Sequence, residues 1–297
     1  MTVAIFGREF NAANSDKLLT LLRSVGEKGV RIIYYSSFLS VLPGSLRELI
    51  PSGERFDACS DLSSDCKLFF ALGGDGTFLS ALTLVRGSGI PVVGVNFGRL
   101  GFLTTSTVSD TDSNGWISEL VDGKYRLERR TVLSMHCDNM PEGLYPYAVN
   151  EVVVQRRDPV MLSIDVTVDG SRLPTYWADG LLVATPTGST AYSLSLGGPI
   201  VRPDAKVLII SPIAPHNLNV RPLIVPDTSM IEIAVNARGH EAMLTMDNRS
   251  ASIVSGQKLS FAKAGFTVNS VALESSNFIG ALQEKLFWGE DKRNDRQ

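Results

Sequence analysis

The stretch from 67 to 77, KLFFALGGDGT, constrains the fold more than any other part of the chain. Residues 68–72 are a continuous apolar run of strand length. The run breaks at once into Gly73-Gly74-Asp75-Gly76-Thr77, and 78–82 resumes with helical spacing. A buried strand feeding a glycine-rich turn and then a helix puts backbone N–H groups and a helix N-terminus at one mouth. Phosphate binds readily there, because the donors lack partners and the helix dipole favours negative charge. Glycine at such a turn accepts positive φ and lets a ligand approach the backbone closely. Asp75 is the odd member, a carboxylate among groups that favour anions. Either it caps the helix or it does chemistry on something bound there.

The rest of 1–124 alternates strand and helix. Strands are expected at 3–7, 30–35, 68–72 and 91–96, and helices at 16–27 and 113–124, with one or two short helices broken by Pro43-Gly44 within 38–50. That alternation predicts an α/β N-terminal domain with a doubly wound, mainly parallel sheet. In such sheets ligands bind at the carboxyl ends of the strands, where 73–77 and 96–101 both fall. From Tyr125 the texture changes. Strand candidates at 149–155, 162–168, 181–185, 207–211, 230–236, 242–246 and 258–263 follow one another, with a hairpin signal at Asp169-Gly170 and one helix from 189 to about 195. This half reads as a β-rich, layered or sandwich-like C-terminal domain. A closing helix is expected over 278–288.

Composition removes several classes of function. At 297 residues and 44% hydrophobic, the chain suffices for two domains with sizeable cores. Its 28 basic and 31 acidic side chains are near balance, and no basic block points to nucleic acid. No polybasic amphipathic helix and no apolar run approaching the ~18 residues of a membrane span points to a bilayer. The start, MTVAIFGREF, reads as a first strand rather than a signal peptide, so a cytoplasmic protein is expected. Cys59, Cys66 and Cys137 are odd in number with no C-x-x-C spacing, and His136, His216 and His240 are scattered. Neither a disulfide framework nor a structural zinc site is expected, and no metal-ligating residues are assigned.

Polar clusters interrupt the apolar strands at three further points. Asn96-Phe97-Gly98-Arg99-Leu100-Gly101-Phe102-Leu103 follows a buried strand, and is either an ordinary turn that buries its aromatics or part of a site. Asn150-Glu151 opens a strand. An amide beside a carboxylate offers a donor and an acceptor together, which suits the two hydroxyls of a ribose, though a solvated strand start would look the same. The richest cluster runs from Ala178-Asp179-Gly180 through a strand into Thr185-Pro186-Thr187-Gly188-Ser189-Thr190-Ala191-Tyr192-Ser193-Leu194-Ser195. Ser189 or Thr190 could be a helix cap, but a cap does not require so many hydroxyls in one segment.

The combination of GGDGT (73–77), NFGRLGFL (96–103), NE (150–151), ADG (178–180) and TPTGSTAYSLSLGGPI (185–200) resembles the NAD kinases, and FIGALQEKLFWGEDKR (278–293) is similar to the end of bacterial members. The GGDGT turn alone is shared with diacylglycerol, sphingosine and 6-phosphofructo-kinases; TPTGSTAYSLS after NE is far more restrictive. By this resemblance Asp75 matches the catalytic aspartate, the general base for the 2′-hydroxyl of the adenosine ribose of NAD. Gly73, Gly74, Gly76 and Thr77 match the turn that lies against phosphates, with Asp75 and Gly76 also facing NAD. Asn150 and Glu151 match the pair that holds NAD, and Asp179 matches a carboxylate lining the dinucleotide site. Thr190, Ala191, Tyr192, Ser193 and Ser195 match the segment around the adenosine, and Phe97 an aromatic near the adenine. Where many members have Asp-Gly late in the β domain, this chain has Asp247-Asn248, so the family contact there is not carried over, although Asn248 can accept positive φ. The family fold further implies that the last helix packs back on the first domain, giving domains of 1–124 plus 271–297 and of 125–270.

The reaction implied is phosphorylation of NAD by ATP to give NADP and ADP, with Mg²⁺ arriving on ATP. The family also implies a homodimer or homotetramer, with no nucleic-acid or membrane partner. Two rivals remain: a lipid kinase sharing the glycine turn, which would want an apolar acceptor groove, and a dinucleotide-binding sensor without catalysis, against which an intact Asp75 argues.

Overall fold

A computed structural model describes residues 1–98, 101–104, 106–107, 115–217, 219–273 and 278–286. The chain divides into two units, Met1–Glu128 with Asn269–Gln297, and Arg129–Val268.

In the first unit the strand–helix alternation closes into a parallel sheet. Its strands lie in the order Glu54–Phe56, Arg31–Tyr35, Thr2–Gly7, Cys66–Leu72, Val92–Asn96, with the end of the long strand Lys258–Ala272 pairing through Ser270 to Val92. All six residues of Thr2–Gly7 are buried, as expected of a strand covered on both faces. Helix Ser15–Glu27 turns Leu18, Leu21, Leu22 and Val25 inward at helical spacing. The segment 38–50 resolves into two short helices, Ser36–Val41 and Gly44–Arg47, separated at Leu42-Pro43. The helix expected over 113–124 runs Gly115–Val121 and buries Ile117 and Leu120. The closing helix, Phe278–Leu286, belongs to this unit and buries Leu282; the expected positions 287 and 288 lie outside the described residues. From Thr2–Gly7 the chain builds outward on one side and then returns to the other side at Cys66–Leu72. The sheet therefore has its switch point between these two strands, where open α/β sheets bind ligands.

The second unit is layered, as the alternating apolar pattern predicts. One antiparallel sheet runs Leu223–Pro226, Val207–Ile213, Gly180–Ala184, Glu151–Arg156, Glu241–Met246, Arg249–Val254. A second layer pairs Leu162–Val168 with Tyr176–Ala178 and Ile231–Asn236, and the latter with the start of Lys258–Ala272. Val152, Val154, Val183 and Leu244 from the first layer share one core with Ile164, Val166, Ile233 and Phe261 from the second.

Two strands exceed what the pattern predicts. The candidate at 258–263 continues to Ala272, and Arg126–His136 forms a strand although it opens with the charged run RLERR. Among the described residues, no helix is long and apolar enough to cross a membrane.

Candidate active site

In the first unit the apolar strand Cys66–Leu72 ends at Gly73, whose N–H donates to the Val95 carbonyl at 2.8 Å. Gly73 has φ of 148°, and a Cβ there would run into the Thr77 side chain, so the turn itself requires glycine. Gly74 and Gly76 are different. Gly74 has an ordinary extended conformation (φ −80°, ψ −172°), Gly76 lies in helix Asp75–Val85, and neither would bring a Cβ within 4 Å of another atom. Both are exposed, so the fold does not demand glycine at either point. Glycine at both points leaves the helix N-terminus open to close approach by another group.

Gly74 is the N-cap and Asp75 the first helical residue, so Asp75 does not cap the helix in the usual sense. Its carboxylate turns to the loop after Val92–Asn96. Oδ2 accepts from the Phe102 N–H at 2.8 Å, and Oδ1 from the N–H groups of Leu103 and Thr104, each at 3.1 Å, and from Thr104 Oγ at 3.2 Å. Thr104 Oγ in turn accepts from the Gly101 N–H at 2.8 Å. Lys285, on the closing helix, donates to the Gly101 carbonyl and lies 4.1 Å from the Phe102 ring centroid. Burial lowers the pKa of this ammonium, and the charges of Asp75 and Glu284 partly restore it. A Cβ on Gly101 would overlap the Asp75 carboxylate. Gly101→Ala must therefore displace the loop or the acid. Turnover is expected to fall at least about tenfold with an unchanged far-UV spectrum, since a small misplacement of a reacting group suffices for that. Wild-type turnover in Gly101→Ala would mean the loop contact with Asp75 is dispensable.

Phe97 is half-buried against the core of this unit, and Asn96 Oδ1 accepts from the Gly98 N–H at 2.9 Å. Arg99 and Leu100 lie outside the described residues. Arg8, following the neighbouring strand Thr2–Gly7, donates to Ser80 Oγ on the turn's helix at 3.2 Å, which sets a cation beside the switch point. Reading the sequence did not single it out.

In the second unit, pairing of Glu151–Arg156 with Gly180–Ala184 sets Glu151 opposite Ala184 and so joins Asn150-Glu151 to the Thr185–Ser195 segment. The Thr185 N–H donates to the Asn150 carbonyl at 2.9 Å, and its hydroxyl to the Val149 carbonyl at 2.5 Å. A Cβ on Gly188 would collide with the Asn150 carbonyl, so glycine there permits the approach. The helix expected from 189 to 195 is instead a 3-10 turn, Thr187–Thr190, and a short α turn, Tyr192–Ser195, broken at Ala191. Ser189 is not a cap. Its hydroxyl donates to the Val201 carbonyl and accepts from the Val201 N–H, pinning the segment.

Asn150 and Glu151 are each 8% exposed. The Glu151 carboxyl accepts from the Tyr192 N–H, while Oε2, like Thr187 Oγ and Ser193 Oγ, is buried without a protein partner among the described residues. Orphaned polar atoms in one segment mark a place where a polar ligand would complete the hydrogen bonding. Burial, and then the charge of Asp247, push the Glu151 carboxyl up to about 8. Tyr192 is exposed and Ser195 lies at the surface, whereas Ser193 is fully buried. Asp179 stands apart. It pairs with Arg156 Nη2 at 3.0 Å, beside the end of Gly180–Ala184 that lies opposite Gln155, so strand length alone separates it from Ala184 by roughly 17 Å.

In the two-residue turn between Glu241–Met246 and Arg249–Val254 it is Asp247, with φ of 51°, that takes the left-handed conformation, not Asn248.

A glycine-rich strand-to-helix turn carrying an acid at the switch point of a parallel sheet, joined in one chain to a β-layered unit with a hydroxyl-rich segment, has the features of a protein that binds phosphate-bearing nucleotides. The ATP-NAD kinase N-terminal domain family matches residues 40–125, and the ATP-NAD kinase C-terminal domain family matches 149–272. The chain is 38% identical over 297 residues to an NAD kinase of Flavobacterium psychrophilum, and 40% identical over 296 residues to one of Cytophaga hutchinsonii. Each comparison covers 99% of this chain and 100% of the relative. Among solved structures, a yeast NADH kinase complexed with NADH superposes with a TM-score of 0.85 at 24% identity, covering 98% of this chain and 89% of that one. An NAD kinase from Archaeoglobus fulgidus in complex with ATP gives 0.68 at 23% identity, covering 92% and 94%. The chain belongs to the NAD kinase family.

Proposed function

We propose that this enzyme transfers the γ-phosphoryl group of ATP to the 2′-hydroxyl of the adenosine ribose of NAD, releasing ADP and NADP. The observation that carries this reading is end-to-end similarity to NAD kinases at 38–40% identity. The ribose oxygen forms its bond to phosphorus as the bond from phosphorus to the bridging oxygen of ADP breaks, and the hydroxyl proton passes to Asp75. An ionised carboxylate has about four lone-pair sites. Asp75 receives four donors from the loop, so taking the ribose proton requires that one of these bonds be exchanged or shared.

Asn150 and Glu151 hold ribose hydroxyls, and Tyr192, Ser193 and their neighbours Thr190, Ala191 and Ser195 line the adenosine. The orphaned Glu151 Oε2 and Ser193 Oγ support that assignment. Phe97 stands near the adenine and Asp179 lines the dinucleotide site, both on resemblance. Gly74 and Gly76, with Gly73 and Thr77 fixing the turn, receive phosphate. Mg²⁺ is part of the substrate MgATP, since this ion is commonly held through nucleotide phosphates and only one or two carboxylates, and the glycine turn offers one carboxylate. A homodimer or homotetramer is proposed on resemblance alone.

An assay of NADP formation across NAD and NADH as acceptors, and MgATP and polyphosphate as donors, tests the reaction; no NADP from NAD with MgATP would overturn it. The phosphate role has its own check. Gly74→Ala is expected to leave the melting midpoint unchanged, because the added methyl meets nothing, and to raise KM for MgATP several-fold by standing where a phosphate would lie. An unaltered KM for MgATP would remove Gly74 from the phosphate site.

A further inference from the structure

Three consecutive residues, Val149, Asn150 and Glu151, carry six backbone polar groups, and two side-chain-bearing residues far along the chain satisfy all of them. Asp247 accepts from the Val149 N–H at 3.0 Å, the Asn150 N–H at 2.8 Å and the Glu151 N–H at 3.3 Å. The Asp247 N–H donates to the Glu151 carbonyl at 3.0 Å. Thr185 takes the carbonyls of Val149 and Asn150 through its hydroxyl and N–H. With every backbone group engaged, the side chains of Asn150 and Glu151 are left as the variable part of the segment.

The hairpin that carries Asp247 has no need of a carboxylate. Where φ is positive, a two-residue turn of this kind accepts glycine, asparagine or aspartate, so the turn does not by itself call for a charge. Here an aspartate takes φ of 51°, and its side chain is 1% exposed. Aspartate is among the residues that adopt that conformation most readily, but a carboxylate removed from water is unfavourable. That cost is offset by bonds to a segment about a hundred residues away and, within the hairpin, by the charge of Arg249. Arg249 completes the arrangement. Its Nη2 lies 3.8 Å from Asp247 Oδ2 and donates to the Tyr147 carbonyl at 2.5 Å, and its guanidinium lies over the Tyr145 ring.

We propose that Asp247 is a positioning residue for the dinucleotide: by fixing the backbone of 149–151 it sets where Asn150 and Glu151 present their side chains. This rests on the reading that Asn150 and Glu151 hold NAD. The same group also acts electrostatically. The groups facing it are the Glu151 carboxyl and Arg249, with Tyr145 behind the arginine. Burial raises the pKa of the Asp247 carboxyl, while its three N–H donors and the Arg249 guanidinium lower it. Burial and the charge of Asp247 raise the Glu151 carboxyl to about 8, opposed by the single Tyr192 N–H.

The test compares Asp247→Ala, Asp247→Asn, Asn150→Ala and the wild-type full chain. Steady-state kinetics are measured for both substrates across pH, and amide exchange at Asn150 and Glu151 in the free protein. Asp247→Asn guards against a misfolded alanine variant, because it keeps the shape and sets an amide NH₂ against only one of the three donors. Both Asp247 variants are expected to speed exchange at 150 and 151 and to raise KM for NAD about tenfold or more, with KM for MgATP within about twofold of wild type. In Asp247→Asn the pH limb near 8 set by Glu151 is expected to move lower, since a neighbouring negative charge is gone. Faster exchange or a lower melting midpoint with unchanged KM for NAD and an unmoved limb would make Asp247 a structural anchor only and overturn the proposal. Unchanged exchange would overturn it as well. If Asn150→Ala leaves KM for NAD at the wild-type value, the failure lies in the reading of Asn150 as an NAD ligand, which the exchange data distinguish from a failure of the clamp.

Discussion

Asp75→Asn is expected to lower kcat by at least about a hundredfold, because a positioned general base contributes roughly 10²–10⁴ in rate, or about 3–5 kcal/mol of barrier. An amide cannot take the ribose proton, and it also disturbs the loop. The carboxylate uses Oδ2 for Phe102 and Oδ1 for Leu103 and Thr104, whereas asparagine has a single acceptor oxygen. With that oxygen on the Oδ1 side, the NH₂ group faces the Phe102 N–H, and one unsatisfied donor of this kind costs about 1–3 kcal/mol. Thr104→Val separates the two effects. It removes a hydroxyl that donates to Asp75 while leaving the acid intact, so its kcat should fall far less than that of Asp75→Asn. Turnover of Asp75→Asn within about tenfold of wild type would remove Asp75 from the role of base. Equal losses in the two variants would assign the defect to loop order instead.

What could be read in the sequence follows the range of the interactions involved. The βα unit at 67–82 is local: an apolar run, glycines and a helical repeat specify strand, turn and helix within a few residues. The layered second unit was legible for the same reason, since alternation in 162–168 shows which face is buried before any partner strand is known. Arg126–His136 was legible only at its end, where His136 and Cys137 adjoin on an expected strand, because its opening charges hide the apolar residues Val132 and Leu133 that belong to the core. The supporting contacts of the site were beyond reach for a different reason. Asp75 is held by 102–104, in a loop that Lys285 ties down through the Gly101 carbonyl, and Asn150-Glu151 by Asp247 and Thr185, across sequence separations that no local pattern encodes. Motifs thus pointed to the residues proposed to touch substrate and even contained some of their supports, Phe102, Leu103, Thr185 and Asp247, while the contacts by which these orient the site came only from the fold.

Glu151→Gln is expected to make the protein more stable than wild type in alkaline solution, a direction opposite to that of most substitutions at a buried polar site. The Glu151 carboxyl is raised from 4.5 to about 8 by burial and by the charge of Asp247. Below the unfolded-state value both the folded and unfolded chains hold this proton, and Glu151 contributes no pH dependence. Between that value and about 8 the unfolded chain releases the proton while the folded chain keeps it, so stability falls as pH rises. Above the folded value the full penalty, on the order of a few kcal/mol, is in place. Glutamine matches the protonated carboxyl in shape. It can accept from the Tyr192 N–H and donate through its amide, but it cannot ionise. Wild type and variant should therefore unfold at similar denaturant concentrations near about pH 5 and diverge steadily toward about pH 9, with the variant the more resistant. Urea titrations across that range check this, and parallel curves for the two proteins would mean that Glu151 ionises without hindrance. The gain has a functional counterpart. A buried acid poised near neutrality, with an unpartnered oxygen, destabilises the free enzyme, and a ribose hydroxyl donating to that oxygen would relieve part of the cost on binding. Saturating NAD is accordingly expected to stabilise wild type more than Glu151→Gln at about pH 9. Equal stabilisation of the two would separate the strained carboxyl from dinucleotide binding.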